Sequence, residues 1–280
     1  MCDAMPVIFS EPRPGDADQQ ELVLLLTNAL MSRKAVDLTI VPHLYDLEPT
    51  GPTMEFLREI EEPMIVISWL YPRAAFWTLK TAGIAGQLAE EPADQEERER
   101  PVWCLGLHSE VDPKSILDEV DRILAGAAAP FSGRSDNREP TRRVEDTRER
   151  WYPVIDRDRC SGCLECLNFC LFGVYGTDSS DDILIEQPDA CRPGCPACSR
   201  ICPEGAIMFP QHGDPAISGD AKASLEGLKL DLSQLFSGAD PSAQALAERD
   251  RAVETMQSQP KPAGGDRLDS LVDELDEMDL

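Results

Sequence analysis

Cys160-Ser161-Gly162-Cys163-Leu164-Glu165-Cys166-Leu167-Asn168-Phe169-Cys170 and Cys191-Arg192-Pro193-Gly194-Cys195-Pro196-Ala197-Cys198-Ser199-Arg200-Ile201-Cys202-Pro203 gather eight of the chain's ten cysteines. The spacings are C-x2-C-x2-C-x3-C and C-x3-C-x2-C-x3-C-P. Met1 to Pro14 lacks a basic flank followed by an apolar core, so no export signal is expected and the cysteines point to metal rather than disulfides. Zinc tetrahedra usually draw on C-x2-C pairs parted by a longer spacer. Three thiolates at two-residue intervals instead let one tight loop wrap three corners of an iron–sulfur cubane. The fourth thiolate, further on, then serves a second cluster. Thiolates are soft ligands that suit iron–sulfur clusters or zinc, and the density of the pattern favours iron and sulfur.

Around the cysteines runs a local repeat. Ile155-Asp156-Arg157-Asp158-Arg159 leads into Cys160, and Gln187-Pro188-Asp189-Ala190 leads into Cys191. Leu171-Phe172-Gly173-Val174-Tyr175 and Pro203-Glu204-Gly205-Ala206-Ile207 follow the fourth cysteines. Each half reads as strand, cluster loop, short helix, strand. From about Tyr152 to Phe209 the chain resembles the bacterial two-cluster ferredoxins. That resemblance implies one [4Fe–4S] cluster on Cys160, Cys163, Cys166 and Cys202, and a second on Cys191, Cys195, Cys198 and Cys170. With all eight ligand positions filled, a three-iron cluster is not expected. Two departures stand out. Leu171 replaces the proline that usually follows the fourth cysteine of the first half. An extra residue within Arg192-Pro193-Gly194 lengthens the second loop and could bring Arg192 near the second cluster.

Toward the N-terminus, residues 5–125 alternate apolar runs with amphipathic stretches. Val7-Ile8-Phe9, Leu38 to Pro42, Met64 to Trp69 and Val102 to Leu107 read as strands. Glu21 to Met31, Thr53 to Glu61, Ala74 to Leu79 and Ser115 to Leu124 read as helices. The unbroken apolar run at Met64–Trp69 suits a strand buried on both faces. The fold class is therefore α/β: an N-terminal parallel α/β sandwich of about four β-α units, then the ferredoxin-like α+β segment, then a helical acidic tail. The expected organisation is an α/β domain at 1–124, a linker at 125–150, the two-cluster domain at 151–211 and the tail at 212–280. Strand-end residues His43, Tyr45, Asp46, Tyr71, Arg73 and His108 could face one cleft, although polar loops at strand ends are ordinarily just that. The half lacks G-x-G-x-x-G, a P-loop lysine, G-x-S-x-G and C-x2-C, so nucleotide, hydrolase and dithiol readings lack support. Cys104 reads as a buried inert thiol and Cys2 as a terminal bystander.

Charge narrows the partners. Fifty-two Asp and Glu against 26 Lys and Arg leave the 280-residue chain at −26. That argues against nucleic acid and against anionic membrane surfaces. No apolar run is long enough to insert in a membrane, so a cytoplasmic chain is expected. Glu90 to Arg100 reads as an exposed charged insertion. Arg122, Arg134, Arg138, Arg142, Arg143, Arg148 and Arg150 mark a basic stretch that either is solvated or lies against an acidic surface. Ala223 to Phe236 and Ala243 to Met256 read as helical, and Leu268 to Met278 as a short acidic amphipathic helix suited to a partner's groove or to solubility alone. Three functions stay open. The first is an electron-transfer protein whose acidic surface meets a basic face on a redox partner. The second is an iron–sulfur oxidoreductase or reductase subunit whose α/β domain binds a flavin-like or tetrapyrrole-like ligand. In the third, the clusters only hold the fold together.

Overall fold

The computed structural model describes residues 4–15, 17–90, 100–107, 111–126, 139–223, 246–247 and 249–251. Apolar β1 (Met5–Ser10) leads into α1 (Ala17–Met31), then β2 (Val36–Val41), α2 (Pro52–Glu59), β3 (Met64–Ser68) and α3 (Pro72–Thr81). Short β4 (Gln87–Leu88), β5 (Pro101–Gly106), α4 (Pro113–Gly126) and short β6 (Thr141–Arg142) complete a six-stranded parallel sheet in the order β4-β5-β3-β1-β2-β6. The central strands are covered on both faces, and their side chains divide between them with period two. Met5, Val7 and Phe9 of β1 and Ile65 and Ile67 of β3 pack with Leu26 and Leu30 of α1 and Val120 and Ile123 of α4. Ile8, Met64 and Val66 point the other way, to Met54 and Leu57 of α2 and to Ala75 and Leu79 of α3. Proline opens α2, α3 and α4, where its missing N–H is no loss.

The four strands and four helices read from the apolar pattern are all present, and β4 and β6 join them. Both added strands are two residues long, and the residues of β6 are exposed, so neither carries an apolar rhythm. Strand β6 falls within the stretch expected as linker. It pairs Thr141 and Arg142 with Thr39 and Ile40 and ties that stretch to the sheet edge.

The cysteine segment follows as β7 (Val154–Ile155), α5 (Glu165–Phe169), β8 (Tyr175–Thr177), β9 (Ile183–Ile185), α6 (Ala197–Ile201) and β10 (Ile207–Met208). Strands β8 and β9 form a hairpin whose turn is held by Asp178, which accepts from the N–H groups of Ser180 and Asp182. Strands β7 and β10 pair antiparallel, Ile207 opposite Ile155 and Met208 opposite Val154. Alternation then puts the two faces of this ribbon in different cores. Val154 and Met208 join the α2/α3 side of the sheet core, while Ile155 and Ile207 pack with the cysteines. Helix α7 (Pro215–Ser218) closes the described segment, capped by Asp214, which accepts from the Ala216 N–H. Gly219 then turns at φ +110°, where a Cβ would lie 2.9 Å from that of Ala74, so only glycine fits. The tail helices expected at 223–236 and 268–278 lie, but for Ala223, outside the described residues, and no helix among the described residues is long and apolar enough to cross a membrane.

Candidate metal centre

Helices α5 and α6 are each a little over one turn long, because each follows a loop that must wrap inward. Gly162 (φ +70°) and Leu164 (φ +60°) bend the first loop, and Gly194 (φ +80°) bends the second. A left-handed leucine is costly, and its position between Cys163 and Cys166 puts that strain where the loop is tightest. Around these loops lie two separate cavities. One is lined by Cys160, Cys163, Cys166 and Cys202, with Ile155, Ile183 and Ile207. The other is lined by Cys170, Cys191, Cys195 and Cys198, with Phe169, Phe172, Val174 and Tyr175. Each cavity thus draws three thiols from one loop and the fourth from the other half. Cys166, Cys191, Cys195 and Cys198 are buried, Cys160, Cys170 and Cys202 partly so, and Cys163 is exposed.

The electrostatic neighbours divide the same way. Burial pushes the Cys166 thiol up to about 12, with Cys202, Cys160 and Cys163 adding to it. Burial pushes Cys198 well up too, with Cys191, Cys170 and Cys195 adding to it against a hydrogen bond from Tyr175. Among the described residues, no three His, Cys, Asp or Glu converge to hold a single ion. The thiols ring their cavities instead, an arrangement that suits a multi-atom cluster rather than one ion. Two donors already reach the sulfurs: Tyr175 Oη donates to Cys198 Sγ at 3.0 Å, and the Ala206 N–H to Cys202 Sγ at 3.3 Å. Arg249 lines the second cavity and sits 5.0 Å from the Phe169 ring.

Residues from the sheet hold this segment in place. Arg73, at the start of α3, places Nε 2.5 Å from Asp156 Oδ2 and donates from Nη2 to the Gly205 carbonyl at 2.8 Å. Asp156 Oδ1 in turn accepts from the N–H groups of Asp158 and Arg159, and its carbonyl accepts from the Cys160 N–H. Burial draws the Arg73 pKa down, against the pull of Asp156. Tyr45 and Tyr152 stack at 4.3 Å, and the Tyr45 hydroxyl both accepts from the Tyr152 N–H at 2.7 Å and donates to the Tyr152 carbonyl. The Tyr152 hydroxyl donates to the Tyr45 carbonyl. Asp46 accepts from Arg13 and from the Arg150 N–H. Burial alone would raise its pKa, but these bonds and the His43 ring outweigh burial and hold it at about 2.

The expectation of one cleft lined by all the strand-end residues is therefore corrected. Tyr45 and Arg73 are spent on the contact with the cysteine segment, Asp46 on Arg13, His43 and the Arg150 N–H just before it, and Tyr71 packs partly buried against the sheet core. His43 alone of that set borders the cleft at the strand ends, with Arg13, Trp69 and Gln211, which were not singled out. His108 and Cys2 lie outside the described residues. Cys104 is fully buried in β5, its thiol pushed up by burial, as an inert thiol should be. Of the basic stretch, Arg148 and Arg150 meet Asp189, two residues before Cys191. Arg142 pairs with Glu11, just past β1, and Arg143 stacks on Phe56 of α2.

No family model matches the chain. Part of it is 41% identical to an uncharacterized ferredoxin of Methanocaldococcus jannaschii, over 23% of this chain and 44% of that protein. It is 33% identical to Ferredoxin-3 of a Nostoc species, over 19% of this chain and 76% of that protein. It is 31% identical to a pyruvate synthase subunit of M. jannaschii, over 25% of this chain and 81% of that protein. The chain thus spans under half the length of the first of these relatives and most of the other two, and none covers more than a quarter of it.

Proposed function

This chain belongs to the ferredoxin family through part of its length, and on that premise we propose that it is an electron-transfer protein carrying two [4Fe–4S] clusters. The observation that carries the reading is the pair of cavities, each ringed by four thiols drawn from both halves of the repeat. Cys160, Cys163, Cys166 and Cys202 would hold one cluster, and Cys191, Cys195, Cys198 and Cys170 the other. Such clusters supply one-electron storage at potentials tuned by charge, hydrogen bonds and exposure. With every iron bound by cysteine, no open coordination position invites a substrate. The residues around the cavities exclude water through Ile155, Ile183, Ile207 and Phe172, and they place Tyr175 Oη and the Ala206 N–H on ligand sulfurs.

Cys163, the exposed ligand, marks where an electron would enter or leave. The charge of −26 would steer the protein toward a basic face on its redox partner, an attraction that salt weakens. Iron and sulfide counting with redox-titrated EPR on the anaerobically purified full chain tests the reading. About eight irons and two reducible S = 1/2 centres are expected, and fewer than about six irons would overturn the two-cluster assignment.

A further inference from the structure

The sheet reverses its winding between β1 and β3. Strand β2 lies on one side of β1 and β3 on the other, and the chain continues outward to β5. Open parallel sheets bind ligands outside the carboxyl ends of the strands at such a switch point. Here that place is a cleft of about 660 Å³, within the range of sites for small molecules. Arg13 follows β1, His43 follows β2, Trp69 follows β3 and Leu107 follows β5, and all line it. Gln211, from beyond β10, closes the far side.

The lining has a definite chemistry. Trp69 is partly exposed, and its indole N–H donates to the Ser10 carbonyl at 3.0 Å, which fixes the ring against the sheet. Leu22, Leu107 and Val111 continue an apolar wall. On the polar side His43 is only 5% exposed. Its Nε2 lies 3.3 Å from the Gln211 amide nitrogen. Its Nδ1 lies 3.3 Å from Asp46 Oδ2, the carboxylate that its ring helps to hold ionised. Charge adds to this: Arg13 is already paired with Asp46, and Asp18 adds a carboxylate at the rim, so no unpaired cationic side chain among the described residues of the cleft meets a phosphate.

We propose that this cleft binds a planar, uncharged heteroaromatic molecule of isoalloxazine size, stacked on Trp69 with its polar edge toward His43 and Gln211. The inference goes beyond the electron-transfer reading and does not rest on it. Of the residues it uses, only Gln211 follows the cysteine segment, so a failure here leaves the iron count untouched.

Riboflavin and flavin mononucleotide are the probes, titrated into the full-length, cluster-loaded protein by calorimetry. Saturable riboflavin binding is expected, with flavin mononucleotide no tighter than about threefold, because the described residues of the cleft offer its phosphate no free cation. Trp69→Ala should weaken riboflavin at least tenfold, roughly the worth of a ring-on-ring stack, while Trp69→Phe stays within about threefold. Val111→Glu, a change at the half-buried rim, should also cost at least tenfold and serves if Trp69→Ala does not fold. No saturable riboflavin binding up to about 1 mM, or binding indifferent to Trp69→Ala and Val111→Glu, would overturn the proposal. So would a flavin mononucleotide affinity far above that of riboflavin.

Discussion

Replacing Arg73 by methionine tests whether the sheet and the cysteine segment are one structure. Both partners of the Arg73–Asp156 pair are 6% exposed, and their contact is 2.5 Å. Removing the guanidinium leaves the Asp156 carboxylate buried with its two backbone donors, and the partly exposed Arg159 at 3.6 Å as the remaining cation among the described residues. Breaking a buried pair from one side costs about 3–5 kcal/mol. With a urea slope of about 3 kcal/mol/M, the midpoint of anaerobic urea unfolding should fall by at least about 1 M. Asp156→Asn should fall by a similar amount. The double variant Arg73→Met with Asp156→Asn leaves no orphaned charge, so its loss should be well under the sum of the two. Arg73→Lys keeps the charge but loses the donor to Gly205 and should cost about 1 kcal/mol. An Arg73→Met chain within about 1 kcal/mol of wild type, or strictly additive losses, would refute the argument.

Three further outcomes follow from the same geometry. Tyr45→Phe strands both the N–H and the carbonyl of Tyr152 and should cost about 1–3 kcal/mol in thermal unfolding, far more than a surface hydroxyl. Tyr175→Phe removes a donor to the Cys198 sulfur. Since that donor favours the more negative, reduced state, redox-titrated EPR should show one potential falling while the other holds. Asp46 has its carboxyl held at about 2, below its unfolded value near 3.9. It therefore contributes stability that is fully present above about pH 4 and lost as pH falls toward about 2, on the order of 2 kcal/mol. The difference in stability between wild type and Asp46→Asn should shrink over that window, and a difference that stays flat would remove Asp46 from the account.

The parts of the molecule legible from sequence are those governed by local rules. Thiol spacing is dictated by the loop that wraps a cluster, so the cysteine intervals carry the ferredoxin resemblance, and the resemblance implies the two sets that line the two cavities. Buried parallel strands announce themselves as unbroken apolar runs, as Met64–Ser68 does. Illegible were features that depend on how distant pieces meet. Arg73, Tyr45 and Asp46 were rightly placed at strand ends, but which side the following segment would dock against has no signature in their neighbourhood. The cleft was found through His43 alone. Trp69 reads as the last residue of an apolar strand, and only the reversal of strand order makes it a wall. Strand β6 pairs through its backbone, with both side chains exposed, so no pattern of residues could flag it.

The two-stranded ribbon of β7 and β10 has one further consequence. Its four side chains are divided between two cores, so each core is complete only while the other face of the ribbon is packed. A substitution that displaces Ile155 or Ile207 therefore acts on the same short backbone that carries Val154 and Met208 into the sheet core, so the two cores are mechanically joined through two pairs of residues.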